Sequence, residues 1–304
     1  MTDLFVNKPK RIFTFGCSFT NYVWPSWPDI IAYELDIPLY NYGKLSAGNQ
    51  YIFNTVMQAD NFYKFTADDL IIVSWTNMHR EDIYKDGKWV ELGNIYSTLF
   101  DDLHSEENKK LHGYFSDLVG TTVRDLALIK SVTHLLENRD STYHFFKLRD
   151  FDLTNEMMYF KQDKSLTSLQ QKIFKSYESY LSKIKKSFVD VLWNNTSENK
   201  IQQEINQVGV NYFDGHPDLL ENLYYLETVL DYKFSDKTRL KVEETHKLML
   251  ERLRKIQSTK LQEIKPSGDI LERYQQRTQG LTFNAQDVDF SDLYFVKSES
   301  VLML

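Results

Sequence analysis

Residues 11–15, Arg-Ile-Phe-Thr-Phe, are β-branched or aromatic at nearly every position, and Gly16 stops the run. A strand of this kind has no polar face to give to water, so it belongs inside a parallel sheet covered on both sides. Residues 70–75, Leu-Ile-Ile-Val-Ser-Trp, repeat the pattern; a short strand-like stretch occurs at 39–42 and another strand is expected at 143–148. Segments with helical spacing separate them. Ile31 and Leu35 mark the apolar side of a first helix, whose opening turn suits Pro28 and Asp29. Ile52, Val56 and Ala59 mark a second, and Val123, Leu126, Ile129, Val132 and Leu136 a third. Strands alternating with such helices predict a parallel sheet with helices on both faces.

In open α/β sheets ligands bind outside the carboxyl ends of the strands, so the residues just past each strand carry the most information about chemistry. Gly16 is followed by Cys17-Ser18-Phe19-Thr20. The strand at 39–42 leads into Gly43-Lys44-Leu45-Ser46-Ala47-Gly48-Asn49, small residues that open a helix. The strand at 70–75 runs straight into Thr76-Asn77-Met78-His79-Arg80. Later, Tyr212-Phe213-Asp214-Gly215-His216-Pro217 precedes a helical stretch over 218–230. Each residue has an ordinary structural use: Ser18 as a turn or cap, Gly48 as a helix-start glycine, Asn77 in an Asx-turn, Asp214 as a local cap. Their order is more informative: serine, glycine, asparagine and histidine, each in a loop at a strand end or helix start.

That order resembles the SGNH (GDSL-like) hydrolase superfamily. Gly16-Cys17-Ser18-Phe19-Thr20 is similar to its first block, with Cys17 in place of the usual aspartate. Gly48 matches the second-block glycine. Asn77 matches the third-block asparagine, with Trp75 and Met78 where that block usually has glycine and aspartate. Asp214 and His216, followed by Pro217 and an apolar helix, resemble the fifth block. Its acidic residue most often stands three positions before the histidine, where this chain has Phe213. The resemblance spans residues 10–233. It implies a flavodoxin-like three-layer α/β/α fold, a triad of Ser18, His216 and Asp214, and an oxyanion hole built from Ser18, Gly48 and Asn77. It also implies action on an ester without a cofactor, with carbohydrate O-acyl groups as one substrate class. A fainter resemblance to SGNH-like proteins of tailed phages favours an assembly or glycan-modifying setting.

The residue types suit the chemistry. A neutral serine is a poor nucleophile and needs an adjacent base. His216 can take the Ser18 proton and return it to the leaving group, while Asp214 holds the imidazole tautomer. The Ser18 and Gly48 N–H groups and the Asn77 amide are donors for the oxyanion, each commonly worth about 10²–10³ in turnover. Arg80 and His79 are either solvated surface residues or contacts for an anionic or sugar substrate. Cys17 is the one cysteine in the chain, so no intramolecular disulfide forms. It is a rival nucleophile by chemistry and a small buried residue beneath the turn by position.

Two insertions interrupt the α/β pattern of residues 1–233. Residues 81–113 are polar and aromatic, and residues 150–207 are rich in Lys, Ser and aromatics, with helix expected over 166–192. Both follow strands, so both rise near the rim of the site, where loops carry specificity. From residue 234 the character changes. Ser235 and Asp236 cap a long helix whose Val242, His246, Met249, Leu253 and Ile256 form a seam at spacings of four and three. That seam, and the apolar end Val301-Leu302-Met303-Leu304, make residues 236–304 a candidate surface for homo-oligomers; the alternative is a helix folded back on its own domain.

At 304 residues and 42% hydrophobic the chain can bury one sizeable core. A net charge of −7 argues against a nucleic-acid or anionic-membrane partner. Met1-Thr2-Asp3-Leu4-Phe5-Val6-Asn7-Lys8-Pro9 lacks the apolar core of a secretory signal, and no stretch reaches transmembrane length. With one cysteine, these features suit a reducing cytoplasm. The seven histidines are dispersed, no zinc-like spacing occurs, and no phosphate-binding Gly-rich lysine motif is present. The expectation is a serine esterase acting on a small acyl ester or an acylated glycan. The alternatives are an acyltransferase with the same site, and an SGNH domain turned assembly or binding module.

Overall fold

The computed structural model describes residues 8–78, 80–93, 118–151, 164–194, 216–260 and 289–298. Its centre is a four-stranded parallel sheet of β1 (Arg11–Gly16), β2 (Leu39–Gly43), β3 (Asp69–Trp75) and β6 (Thr142–Lys147), in the order β2-β1-β3-β6. Every residue of β3 is buried, as the unbroken apolar run requires. Arg11 and Asp69, register partners at the amino edge, form a bidentate ion pair at 2.7 and 2.8 Å.

Helices cover both faces. Helix α1 (Trp27–Leu35) packs with α6 (Leu219–Leu230) and α7 (Asp236–Lys260) on one side; α2 (Asn49–Tyr63) packs with α3 (Leu118–Asn138) on the other. This is the flavodoxin-like α/β/α arrangement expected from the sequence. Pro28 and Asp29 do lie in the first turn of α1, where the Asp29 carboxylate accepts the Ser26 N–H at 3.1 Å. In α3 the stripe is rotated from the expected one. Leu126, Ile129, Val132 and Leu136 are buried, but Val123 is outward, and Thr122 and Asp125 take the inward positions. Polar residues there meet a polar neighbour, as the site shows below.

Both sheet edges are covered by other segments. Ile184 bridges Phe145 in parallel, and the Lys185 N–H donates to the Phe145 carbonyl at 2.8 Å. Ser298 bridges Leu39 on the opposite edge. Covering an edge removes a row of unpaired backbone groups. Within the first insertion, β4 (Glu81–Lys85) and β5 (Lys88–Gly93) form an antiparallel hairpin. Within the second lie α4 (Lys164–Ser176), α5 (Glu178–Leu181) and a π turn at Asp190–Asn194. The seam of α7 faces its own chain: Val242, Met249 and Leu253 are buried against α6 and α1. Residues 301–304 lie outside the described residues. No helix among the described residues is long and apolar enough to cross a membrane.

Candidate active site

Ser18 stands in a tight turn at the carboxyl end of β1. The Thr20 and Asn21 N–H groups donate to the Cys17 carbonyl at 2.9 and 3.2 Å, closing the turn. A Cβ on Gly16 would lie 2.0 Å from Thr20 Oγ1, so glycine is required because the turn folds back over it, with no need for an unusual backbone angle. The turn is fastened from outside by Ser26 Oγ and Asn41 Nδ2, both donating to the Thr20 carbonyl at 2.9 Å. Cys17 is fully buried beneath it and points away from solvent.

His216 comes to Ser18 from the far end of the α/β domain. Its Nε2 lies 2.8 Å from Ser18 Oγ, across 198 residues of sequence. Two residues later comes Asp218, the N-cap of α6, and the helix start is locked by a capping box: Asp218 accepts the Glu221 N–H and Glu221 accepts the Asp218 N–H, both at 2.9 Å. The intervening Pro217 carbonyl accepts from Trp24 Nε1 at 3.1 Å and from Asn222 Nδ2 at 3.0 Å. The imidazole itself stacks on Tyr22, with centroids 3.8 Å apart and planes 18° from parallel, while Phe19 tilts against it at 5.4 Å. Asp214, like His79, lies outside the described residues.

The second and third loops flank Ser18, one following β2 and the other β3. They are knitted together by buried polar groups. Gly48 is the N-cap of α2, and its N–H donates to Asp82 Oδ1 at 2.8 Å, while the Tyr51 N–H donates to Asp82 Oδ2 at 3.0 Å. Asp82 thus caps α2 from another strand and occupies the donor assigned from the sequence to the oxyanion. A Cβ on Gly48 would sit 2.6 Å from Asp82 Oδ2 and 3.0 Å from the Arg80 Cβ. The glycine therefore makes room for Asp82 and Arg80. Burial pushes the Asp82 carboxyl up, and the two N–H bonds oppose it.

Asn77 sits in the loop after β3 with its Oδ1 buried and unpartnered among the described residues. The residue before it is pinned by Asn49, whose side chain accepts the Thr76 N–H at 3.0 Å and donates to the Thr76 carbonyl at 3.3 Å. Asn49 also donates to Asp125 at 2.7 Å. Arg124 bonds Asp125 at 2.8 Å and forks onto Glu81 at 2.7 and 2.6 Å. Burial pushes the Asp125 carboxyl up to about 7, against the pull of Arg124 and Asn49. Arg80, the candidate substrate contact, spends Nη1 on the Ala47 carbonyl at 3.1 Å and so clamps the second loop.

The structure therefore brings Ser18 and His216 together and sets the Gly48 and Asn77 loops on either side of them. It adds residues the sequence reading did not single out: Tyr22, Trp24, Asn49, Asp82, Arg124 and Asp125. The inward position of Asp125 on an otherwise apolar stripe was the available signal for the last of these. Among the described residues no group of three or more His, Cys, Asp or Glu side chains is placed to hold a metal ion.

No family model and no curated protein matches the chain. Among solved structures it is similar to a protein assigned to the lipolytic G-D-S-L family from Desulfitobacterium hafniense, at 15% identity and a TM-score of 0.37, covering 71% of this chain and 97% of that one. It is also similar to a member of the lipolytic G-D-S-L family from Veillonella parvula, at 16% identity and a TM-score of 0.34, covering 73% of this chain and 99% of that one.

Proposed function

We propose that the chain is a serine ester hydrolase of the SGNH type. The observation that carries this reading is the 2.8 Å contact between His216 Nε2 and Ser18 Oγ at the carboxyl edge of a parallel sheet. It is the contact a serine needs to become a nucleophile at neutral pH. His216 takes the Ser18 proton as Oγ bonds to the ester carbonyl carbon, and the carbonyl oxygen becomes an oxyanion. His216 then gives the proton to the departing alcohol, leaving an acyl-Ser18. A water molecule, deprotonated by His216, attacks that acyl group and releases the acid and free Ser18. Asp214 serves as the acid that orients His216.

The oxyanion is received by the Ser18 N–H and the Asn77 side-chain amide. Gly48 is a third donor only after Asp82 lets go of it. The substrate class is a small O-acyl ester, with an acylated glycan as the favoured example. Labelling with a fluorophosphonate probe tests the reading: the wild-type protein is labelled at Ser18 and hydrolyses p-nitrophenyl acetate, and Ser18→Ala does neither. Labelling that survives in Ser18→Ala and vanishes in Cys17→Ala would move the nucleophile to Cys17. A second reading, a binding or assembly module, is favoured by one observation, the commitment of the Gly48 donor to Asp82. An unlabelled, inactive wild-type protein would support it.

A further inference from the structure

We infer that residues 289–298 form a strap that positions His216, an inference resting on the reading of Ser18 and His216 as nucleophile and base. An imidazole that swings about its Cβ–Cγ bond carries Nε2 away from Ser18 Oγ, and a misplacement of about 1 Å can cost on the order of 10²-fold in rate. The ring is held by the stack on Tyr22. Tyr22 lies in the irregular stretch between the nucleophile turn and α1, so no helix or strand fixes it.

The strap does so from the other end of the chain. The Tyr294 hydroxyl donates to the Tyr22 main-chain carbonyl at 2.6 Å, across 272 residues. The Tyr22 ring meets Trp24 edge-on at 4.5 Å. Trp24 in turn meets Phe290 edge-on at 6.0 Å and 90°. Trp24 is fully buried and Phe290 is 1% exposed. Trp24 also holds the Pro217 carbonyl, next to His216. Two of the grips on the histidine, the Tyr22 stack on its ring and the Trp24 bond to its neighbouring carbonyl, are thus backed by Phe290 and Tyr294.

The strap has its own anchors. Arg252 on α7 donates to the Asp289 carbonyl at 2.9 Å and forks onto the Asp292 carboxylate. Phe295 packs edge-on to Tyr33 at 5.7 Å and lies under Lys241. Ser298 bridges β2 at Leu39. Helix α7 and the strap are therefore positioning parts of the catalytic unit, although they follow α6 in the chain.

Three variants of the full-length protein test this: Phe290→Ala, Tyr294→Phe and, as a control at the end of α2 away from the strap, Phe62→Ala. Phe290→Ala is expected to lower kcat for p-nitrophenyl acetate and the fluorophosphonate labelling rate about tenfold, with KM unchanged. Tyr294→Phe, which removes one hydroxyl, lowers both about threefold, and Phe62→Ala leaves both within twofold. Phe290→Tyr restores most of the loss. A readout free of catalysis accompanies these: the His216 ring resonances shift and broaden in Phe290→Ala and Tyr294→Phe, and hold in Phe62→Ala. If the wild-type protein proves inactive while those resonances still respond, the esterase reading fails and the strap stands. Wild-type turnover or labelling in Phe290→Ala and Tyr294→Phe, or His216 resonances unmoved in both, overturns it.

Discussion

Around His216 the protein uses rings, and around Asn77 it uses charges. His216 is held by Tyr22, which is backed by Trp24 and Phe290, and the polar fastenings include an indole N–H and a hydroxyl. The loops that face it are held by Asp82, Arg80, Asn49, Asp125, Arg124 and Glu81, nearly every one hydrogen-bonded or ion-paired to another element. Ring packing loses strength gradually when a contact is trimmed, because dispersion is a sum of many small terms. A buried polar network fails steeply, because each lost partner strands another group away from water. The half around His216 should therefore tolerate conservative changes in its supports, and the half around Asn77 should not.

The largest effect tests whether the pair at the centre of this comparison acts as a unit. Ser18→Ala and His216→Ala are each expected to lower turnover on a short-chain aryl ester by about 10³-fold or more, and the double variant scarcely further. Losses that add in the double variant would mean that the two residues act independently. Next in size is Asn77→Ala, which removes one donor of the proposed oxyanion hole and should lower kcat about 10²-fold with little change in KM. A rise in KM alone would make Asn77 a substrate contact.

Asp82→Ala tests the charged half with the opposite sign. It strips the cap from α2, a loss of about 1 kcal/mol in stability by chemical denaturation. It also frees the Gly48 N–H, so turnover is expected to rise about tenfold if that donor then reaches the oxyanion. Unchanged turnover at the lowered stability would show that the site runs on Ser18 and Asn77 alone.

Ser18 and His216 were easier to read in the sequence than the rings and charges that hold them, and the reason is physical. Ser18 and His216 belong to short local patterns, a strand stopped by Gly16 and a helix start after Pro217, and local patterns can be read one segment at a time. The sheet was legible for the same reason, since residues 11–15 and 70–75 admit few alternatives to buried parallel strands. Asp82 and Asp125 act through partners on other elements, and nothing beside them in the chain names those partners. Gly48 shows how one position can carry another reason: its N–H was expected to serve an oxyanion, and in the structure it donates to the Asp82 carboxylate. The strap was not singled out in the sequence, because its acidic and aromatic residues name no partner. Tyr294 reaching Tyr22 is a contact that no spacing rule encodes.

The smallest effect concerns acid and base. Asp29 is fully buried beside the ring half with two backbone N–H bonds, and burial raises its carboxyl to about 7. Asp125, in the charged half, is raised to about the same value although Arg124 opposes the shift. A carboxyl whose folded pKa lies above its unfolded value near 3.8 binds a proton more tightly in the native state. Its contribution to stability is complete below the unfolded value and is lost as pH rises through the folded one. Unfolding free energy is therefore expected to decline between about pH 4 and pH 7 from these two groups and to level off above. Asp29→Asn should flatten part of that slope at small cost, because an amide oxygen still accepts the Ser26 N–H. Asp125→Asn should flatten it too, but with a lower plateau, since Arg124 loses one of its two charge partners. If Asp29→Asn leaves the slope between pH 4 and pH 7 untouched, Asp29 is ionised in the fold. The ring half would then hold a buried charge of its own, and the contrast between the two halves would be one of degree.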